Sequence, residues 1–150
     1  MPTYDVFIQV VPAAAQSVGG KFLSFGTGRS LGVGGIQKLL NEFTIALLTP
    51  VGTDPLDLFR GTDLPNLIGS NVAIDDAQEI LTLAVQKATQ DILSYQVGIA
   101  LPEDEQLAAA TITEYLVIED APGFSARIFV QNVAQQGLTL LLPSLQTRTP

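Results

Sequence analysis

The side chains best able to do chemistry in this sequence are carboxylates: fifteen Asp and Glu residues stand against seven Lys and Arg, with no histidine and no cysteine. Without histidine the usual general base, metal ligand and pH switch are missing. Without cysteine there are no thiol nucleophiles, zinc-thiolate sites or disulfides. Serine hydrolase chemistry has no imidazole to run it. Two carboxylates flanking a sugar make a glycosidase, and the most that can be assembled here is Glu103, Asp104 or Glu105 with Glu114 or Glu119. Neither group shows the apolar pocket that would raise one pKa, and an acidic run at a helix start is ordinarily a solvated cap. Asp54, Asp57 and Asp63 are ligands of the kind calcium takes, but their spacing fits no EF-hand loop, and turn or cap formation is the plainer role. The expectation is no catalytic, cofactor-binding or metal-binding residue.

Phosphate-binding patterns are incomplete. Gly26-Thr27-Gly28-Arg29-Ser30-Leu31 has Leu31 where a dinucleotide loop needs its third glycine, and no clear strand precedes it. Gly20-Lys21-Phe22 lacks the Ser or Thr and the leading glycine of a P-loop. Lys21 and Arg29 are the nearest approach to a basic patch, and they read as two solvated loop residues.

Charged residues are 15% and hydrophobic residues 47% of the 150, against a usual charged share of about a quarter. So few charges poorly coat an isolated globule, which points to surface covered by partner proteins. Ile92 to Leu101 and Ile128 to Thr147 are broken by Gly, Gln, Asn, Ser and Pro, short of the eighteen or so apolar residues that argue for a membrane span. Met1-Pro2-Thr3-Tyr4-Asp5 lacks the basic start of a signal peptide, so a cytoplasmic product is expected. The net charge of −8 is uneven, four basic against five acidic residues in 1–70 and three against ten in 71–150. Such a surface disfavours nucleic acid, whose phosphates demand clustered Lys and Arg.

The elements that would hold these residues read as one α+β domain. Tyr4 to Val11 alternates with period two and predicts a strand with Tyr4, Val6, Ile8 and Val10 on one face and Phe7 and Val11 on the other. A glycine-rich arm follows, with seven of the thirteen glycines in 12–35. Apolar spacing of three and four predicts a helix from Gly35 to Leu48, with Gln37, Lys38, Asn41 and Glu42 outward, ended by Pro50. Ala46 to Thr62 is then a turn-dense corner. Leu64 to Ile68 reads as a short helix. Asp75 and Gln78 have capping-box spacing for a long helix whose stripe is Ala77, Leu81, Ala84, Ala88, Ile92 and Tyr95. Pro102 to Leu107 reads as a short acidic helix start. A β-meander closes the chain: Thr111 to Glu119, Phe124 to Gln131 and Leu138 to Leu142, with Pro143 ending the sheet. The expected division is strand and arm in 1–30, helical part in 31–110, meander in 111–143 and polar tail in 144–150. Two main helices and a short helix thus pack on a C-terminal antiparallel meander.

Gly28-Arg29 before the first helix, Ala46-Leu47-Leu48-Thr49-Pro50, Gly52-Thr53-Asp54-Pro55 and Gly61-Thr62-Asp63-Leu64 give the chain, over about residues 28–142, a pattern that resembles the baseplate wedge or sheath-initiator proteins of contractile phage tails, a family sometimes labelled lysozyme-like. Many members carry Glu-Pro-Arg just after the long helix, where this chain has Leu93-Ser94-Tyr95-Gln96-Val97, so the contact made by that triplet does not carry over. The resemblance implies a structural subunit of the virion tail baseplate, assembled in the host cytoplasm in several copies in a ring. Its partners would be the tail sheath protein and the wedge and hub or tube proteins, with no nucleic acid, membrane or cofactor. It implies sheet edges on which the first sheath ring forms by strand addition, assigned to Val6, Phe7, Ile8, Val10 and Val11 and to Leu138, Leu140 and Leu142. The alternatives are a cell-wall-degrading glycosidase, as the lysozyme-like label suggests, and another tail or connector structural protein.

Overall fold

A computed structural model describes residues 34–67, 73–117 and 123–146. The expected strand at 4–11, most of the glycine arm and the turn at 120–122 lie outside them. Helix α1 is Gly35–Leu48 and helix α2 is Ile74–Gln96, joined through a loop and a 3-10 turn, Leu64–Leu67. A second 3-10 turn, Glu103–Glu105, leads into strands β1 (Leu107–Val117), β2 (Gly123–Asn132) and β3 (Gly137–Gln146). The strands form an antiparallel sheet in the order β1-β2-β3. The fold is α+β, as the sequence predicts: α1 lies against β2 and β3, and α2 against β1.

The core forms where the helical and strand periods meet. Leu39, Phe43, Ala46 and Leu47 of α1, Ala77, Leu81 and Ala88 of α2 and Ala126, Ile128 and Val130 of β2 are fully buried. Each large aliphatic or aromatic side chain among them contributes about 1.5–3 kcal/mol. Helix α1 keeps its expected bounds because Thr49 closes it, donating its N–H to Ile45 O at 2.9 Å, and Pro50 cannot extend it. Its outward face differs from expectation: Lys38 and Asn41 are buried. Lys38 Nζ donates to Glu105 Oε2 at 2.8 Å, so the acidic 3-10 turn covers the first turns of the helix.

Helix α2 begins one residue before Asp75, with Ala73 as its N-cap and no side-chain cap bond. The capping box therefore does not form, and Asp75 and Asp76 lie inside the first turn, where carboxylates favour the positive helix end. Its stripe is buried through Ile92, but Tyr95 is exposed.

The sheet departs from the expected bounds in two places. β1 starts at Leu107, earlier than Thr111, and β2 pairing shifts between Ile112 and Glu114. Thr113 is thus an extra residue, and the inward positions change from Ala110 and Ile112 to Tyr115. β3 runs past Pro143 to Gln146, with a shift where Phe124 pairs Leu145 and Ala126 pairs Leu142. Pro143 is tolerated because it lies in that irregularity, on a strand with one ladder partner among the described residues.

Candidate partner-binding site

The corner at 49–62 is a loop with a fixed neck and an apolar tip. At the neck Pro50 and Thr62 form a parallel bridge. Thr62 N–H donates to Thr49 O at 2.8 Å, Val51 N–H donates to Thr62 O at 3.2 Å, and the Thr62 hydroxyl donates to Leu47 O at 2.6 Å. Gly61 has φ +106, and a Cβ there would lie 2.5 Å from Thr49 O, so only glycine closes the neck without strain. The neck is also tied to α2, because Gly61 N–H donates to Asp91 Oδ2 at 3.2 Å and Lys87 pairs with the same carboxylate. Such closed loops, with ends together and side chains displayed at the tip, are frequently functional.

Turn chemistry holds the tip. Asp54 Oδ1 accepts Leu56 N–H at 2.9 Å and Asp57 Oδ1 accepts Phe59 N–H at 3.0 Å. Arg60 reaches Asp54 at 3.4 Å. Asp54 and Asp57 are therefore turn formers, as their spacing suggests, and the exposed Asp63 stands at the start of the 3-10 turn, its carbonyl accepting Asn66 N–H at 3.1 Å. Between these fixed points the apolar residues are turned to solvent: Leu56 is 95%, Phe59 84% and Leu58 60% exposed. The end of α2 continues the display with Tyr95 at 69% and Val97 at 80%. A cleft of about 420 Å³ separates the two, walled by Asp57 and Arg60, by Glu42, Ile45 and Ala46 of α1, and by Asp91, Ile92, Ser94 and Tyr95 of α2. This apolar exposure makes the corner the candidate partner-binding surface among the described residues.

The carboxylates weighed as a catalytic pair have other positions. Glu105 is buried, holding Lys38 and accepting the Gly35 N–H at 3.4 Å, which anchors the start of α1. Gln96 clasps the same turn, donating to Glu105 O at 3.1 Å and accepting Leu107 N–H at 3.0 Å. Buried Asn132 donates to Asp104 O at 2.9 Å, docking the β2–β3 turn there. Glu114 lies seven residues along β1 from Leu107 and pairs with Arg127 across the strands at 2.9 Å. At about 3.3 Å per strand residue that places it roughly 20 Å from the acidic turn, beyond the roughly 5 to 9.5 Å that glycoside hydrolysis uses. Glu119 is outside the described residues. Among the described residues no three metal-ligating side chains gather, and no helix is long and apolar enough to cross a membrane.

Of the residues assigned to partner contact, Val6, Phe7, Ile8, Val10 and Val11 lie outside the described residues, as do Lys21 and Arg29. Leu140 and Leu142 are buried in the chain's own core, with Leu138 half-buried against it. Leu140 and Leu142 are therefore core side chains, and among the described residues β3 has β2 as its one ladder partner. Sequence reading missed Leu56, Leu58, Phe59 and Tyr95 as surface residues. The available signal was Leu56, Leu58 and Phe59 set among Asp, Pro and Gly, where no helix or strand period can carry them inward.

Comparison of the chain with protein-family models, curated proteins and solved structures finds no match.

Proposed function

We propose that the chain is a structural subunit of a contractile tail baseplate that links the wedge and tube end to the first sheath ring and templates sheath assembly. The observation that carries this reading is the apolar display on the 49–62 corner, fixed to both helices and too exposed to serve the chain's own core. The ordered motifs around that corner supply the resemblance to baseplate wedge proteins, and β1 and β3 each have one ladder partner among the described residues, as strand addition requires. In this reading the chain is not an enzyme. It acts in several copies in a ring on the virion tail, assembled in the host cytoplasm, with sheath, wedge and hub or tube proteins as partners and with neither nucleic acid nor membrane.

The test is polymerisation of the sheath protein on baseplates built with the full chain or with variants. Removing residues 1–11, or substituting Thr139→Lys on the exposed face of β3, is expected to leave a folded core and stop sheath growth. Removing residues 137–150 is not a clean test, since Leu140 and Leu142 would leave the core with it. Sheaths of normal length on both variants would contradict the proposal, as would cell-wall release by the purified chain that is lost on changing Glu103 or Glu114.

A further inference from the structure

We propose that the face formed by the 49–62 loop, the cleft beside it and the end of α2 binds a second copy of this chain across a two-fold axis, the loop tip of each copy entering the cleft of the other. The inference rests on the reading of this corner as a contact surface and names its occupant, whether or not the pair belongs to a contractile tail.

Shape gives the first argument. A two-fold contact sets one patch against itself, so the patch must carry both a projection and a hollow to receive it. Here the tip projects with Leu56 95% and Phe59 84% exposed among the described residues. The cleft of about 420 Å³ lies alongside, with Ile45, Ala46, Ile92 and Tyr95 among its walls. Neck bonds from Thr62 to Leu47 and Thr49, and from Gly61 to Asp91, fix the one beside the other, so pairing costs little further ordering of the loop.

Area gives the second. Leu56, Leu58, Phe59, Tyr95 and Val97 are each 60% to 95% exposed. Together they present roughly 500 Å² of apolar surface, taking about 200 Å² for an aromatic side chain and about 100 Å² for an aliphatic one. A stable interface takes about 800 Å² from each partner, about two thirds of it apolar in homodimers. The patch therefore matches one half of such a contact in size.

Charge gives the third. Setting a patch against its own copy opposes like charges, which disfavours self-pairing wherever those charges are unanswered. On this face they are engaged within the chain: Glu42 pairs with Lys38 at 3.8 Å, Asp91 with Lys87 and the Gly61 N–H, Arg60 with Asp54 at 3.4 Å, and Asp57 with the Phe59 N–H. The net charge of −8 on each copy then acts as a long-range repulsion that salt screens.

The test is sedimentation of the full chain across the micromolar range. The expected result is a monomer–dimer equilibrium that tightens severalfold as salt rises from about 0.05 to 0.5 M. Tyr95→Lys is expected to weaken it by about tenfold or more, and Thr139→Lys on the sheet to leave it unchanged. Because the chain has no cysteine, introduced thiols report which surfaces meet. Leu56→Cys mixed with Ser94→Cys, one at the tip and one on the cleft wall, is expected to give disulfide-linked heterodimers in air, well above a mixture of Leu56→Cys with Thr139→Cys. All four positions are exposed, and the variants' circular dichroism verifies folding. A chain that stays monomeric throughout, a dimer indifferent to Tyr95→Lys, or equal cross-linking in the two mixtures would overturn the proposal. A dimer with the expected properties in a chain that does not support sheath growth would instead refute only the tail reading.

Discussion

Glu105 shows how a residue's chemistry is decided by a partner far away in the chain. In sequence it is the last of three consecutive acids, which reads as a solvated cap, yet 67 positions back Lys38 folds onto it and both are buried. Substituting Lys38→Met removes one partner and leaves a buried charge, at a cost of about 3–5 kcal/mol. Urea unfolding measures it, and adding Glu105→Gln is expected to recover part of the loss. Gly61 is the second residue whose role depends on contact. Gly61→Ala is expected to destabilise the neck by roughly 1–3 kcal/mol, because alanine must hold a positive φ against Thr49 O. Asp54 and Asp57, in contrast, were legible directly, since the amides they hold lie two residues on. Local bonds can be read from spacing, and long-range pairs cannot.

At the scale of elements, α1 was legible to its end residues because a three-and-four apolar spacing is punctuated by Pro50. β1 was not, since Leu107-Ala108-Ala109-Ala110 carries no β-branched residue and becomes strand through its ladder with β2. In β1 the apolar alternation breaks at Glu114, where the extra residue Thr113 shifts the pairing with β2. That irregularity yields a sharp expectation. Deleting Thr113 leaves Ile112 opposite Ile128 and Glu114 opposite Arg127, with Tyr115 still inward to meet Thr82. Deleting Thr111, where pairing is regular, turns one half of the strand inside out. Thermal unfolding is expected to remain cooperative, within a few degrees of the parent, for the first deletion and to lose cooperativity for the second.

Across the whole molecule, helix and sheet faces close on one another while the 49–62 corner keeps large apolar side chains in solvent. Scarce charge indicated covered surface from the sequence alone, but it could not say where, because composition carries no position. What the structure adds is where large apolar side chains stand exposed: bonds to Leu47 and Thr49 at the end of α1 and to Asp91 of α2 hold the loop out as a wall beside the cleft. Leu56→Ser with Phe59→Ser is therefore expected to alter stability by less than about 1 kcal/mol while reducing partner capture. The most direct test of the tail reading is electron microscopy of contractile tail particles assembled with a gold-tagged copy of the chain. Label in a ring at the baseplate, where the sheath begins, is the expected result, and particles with complete baseplates and no label there would contradict it.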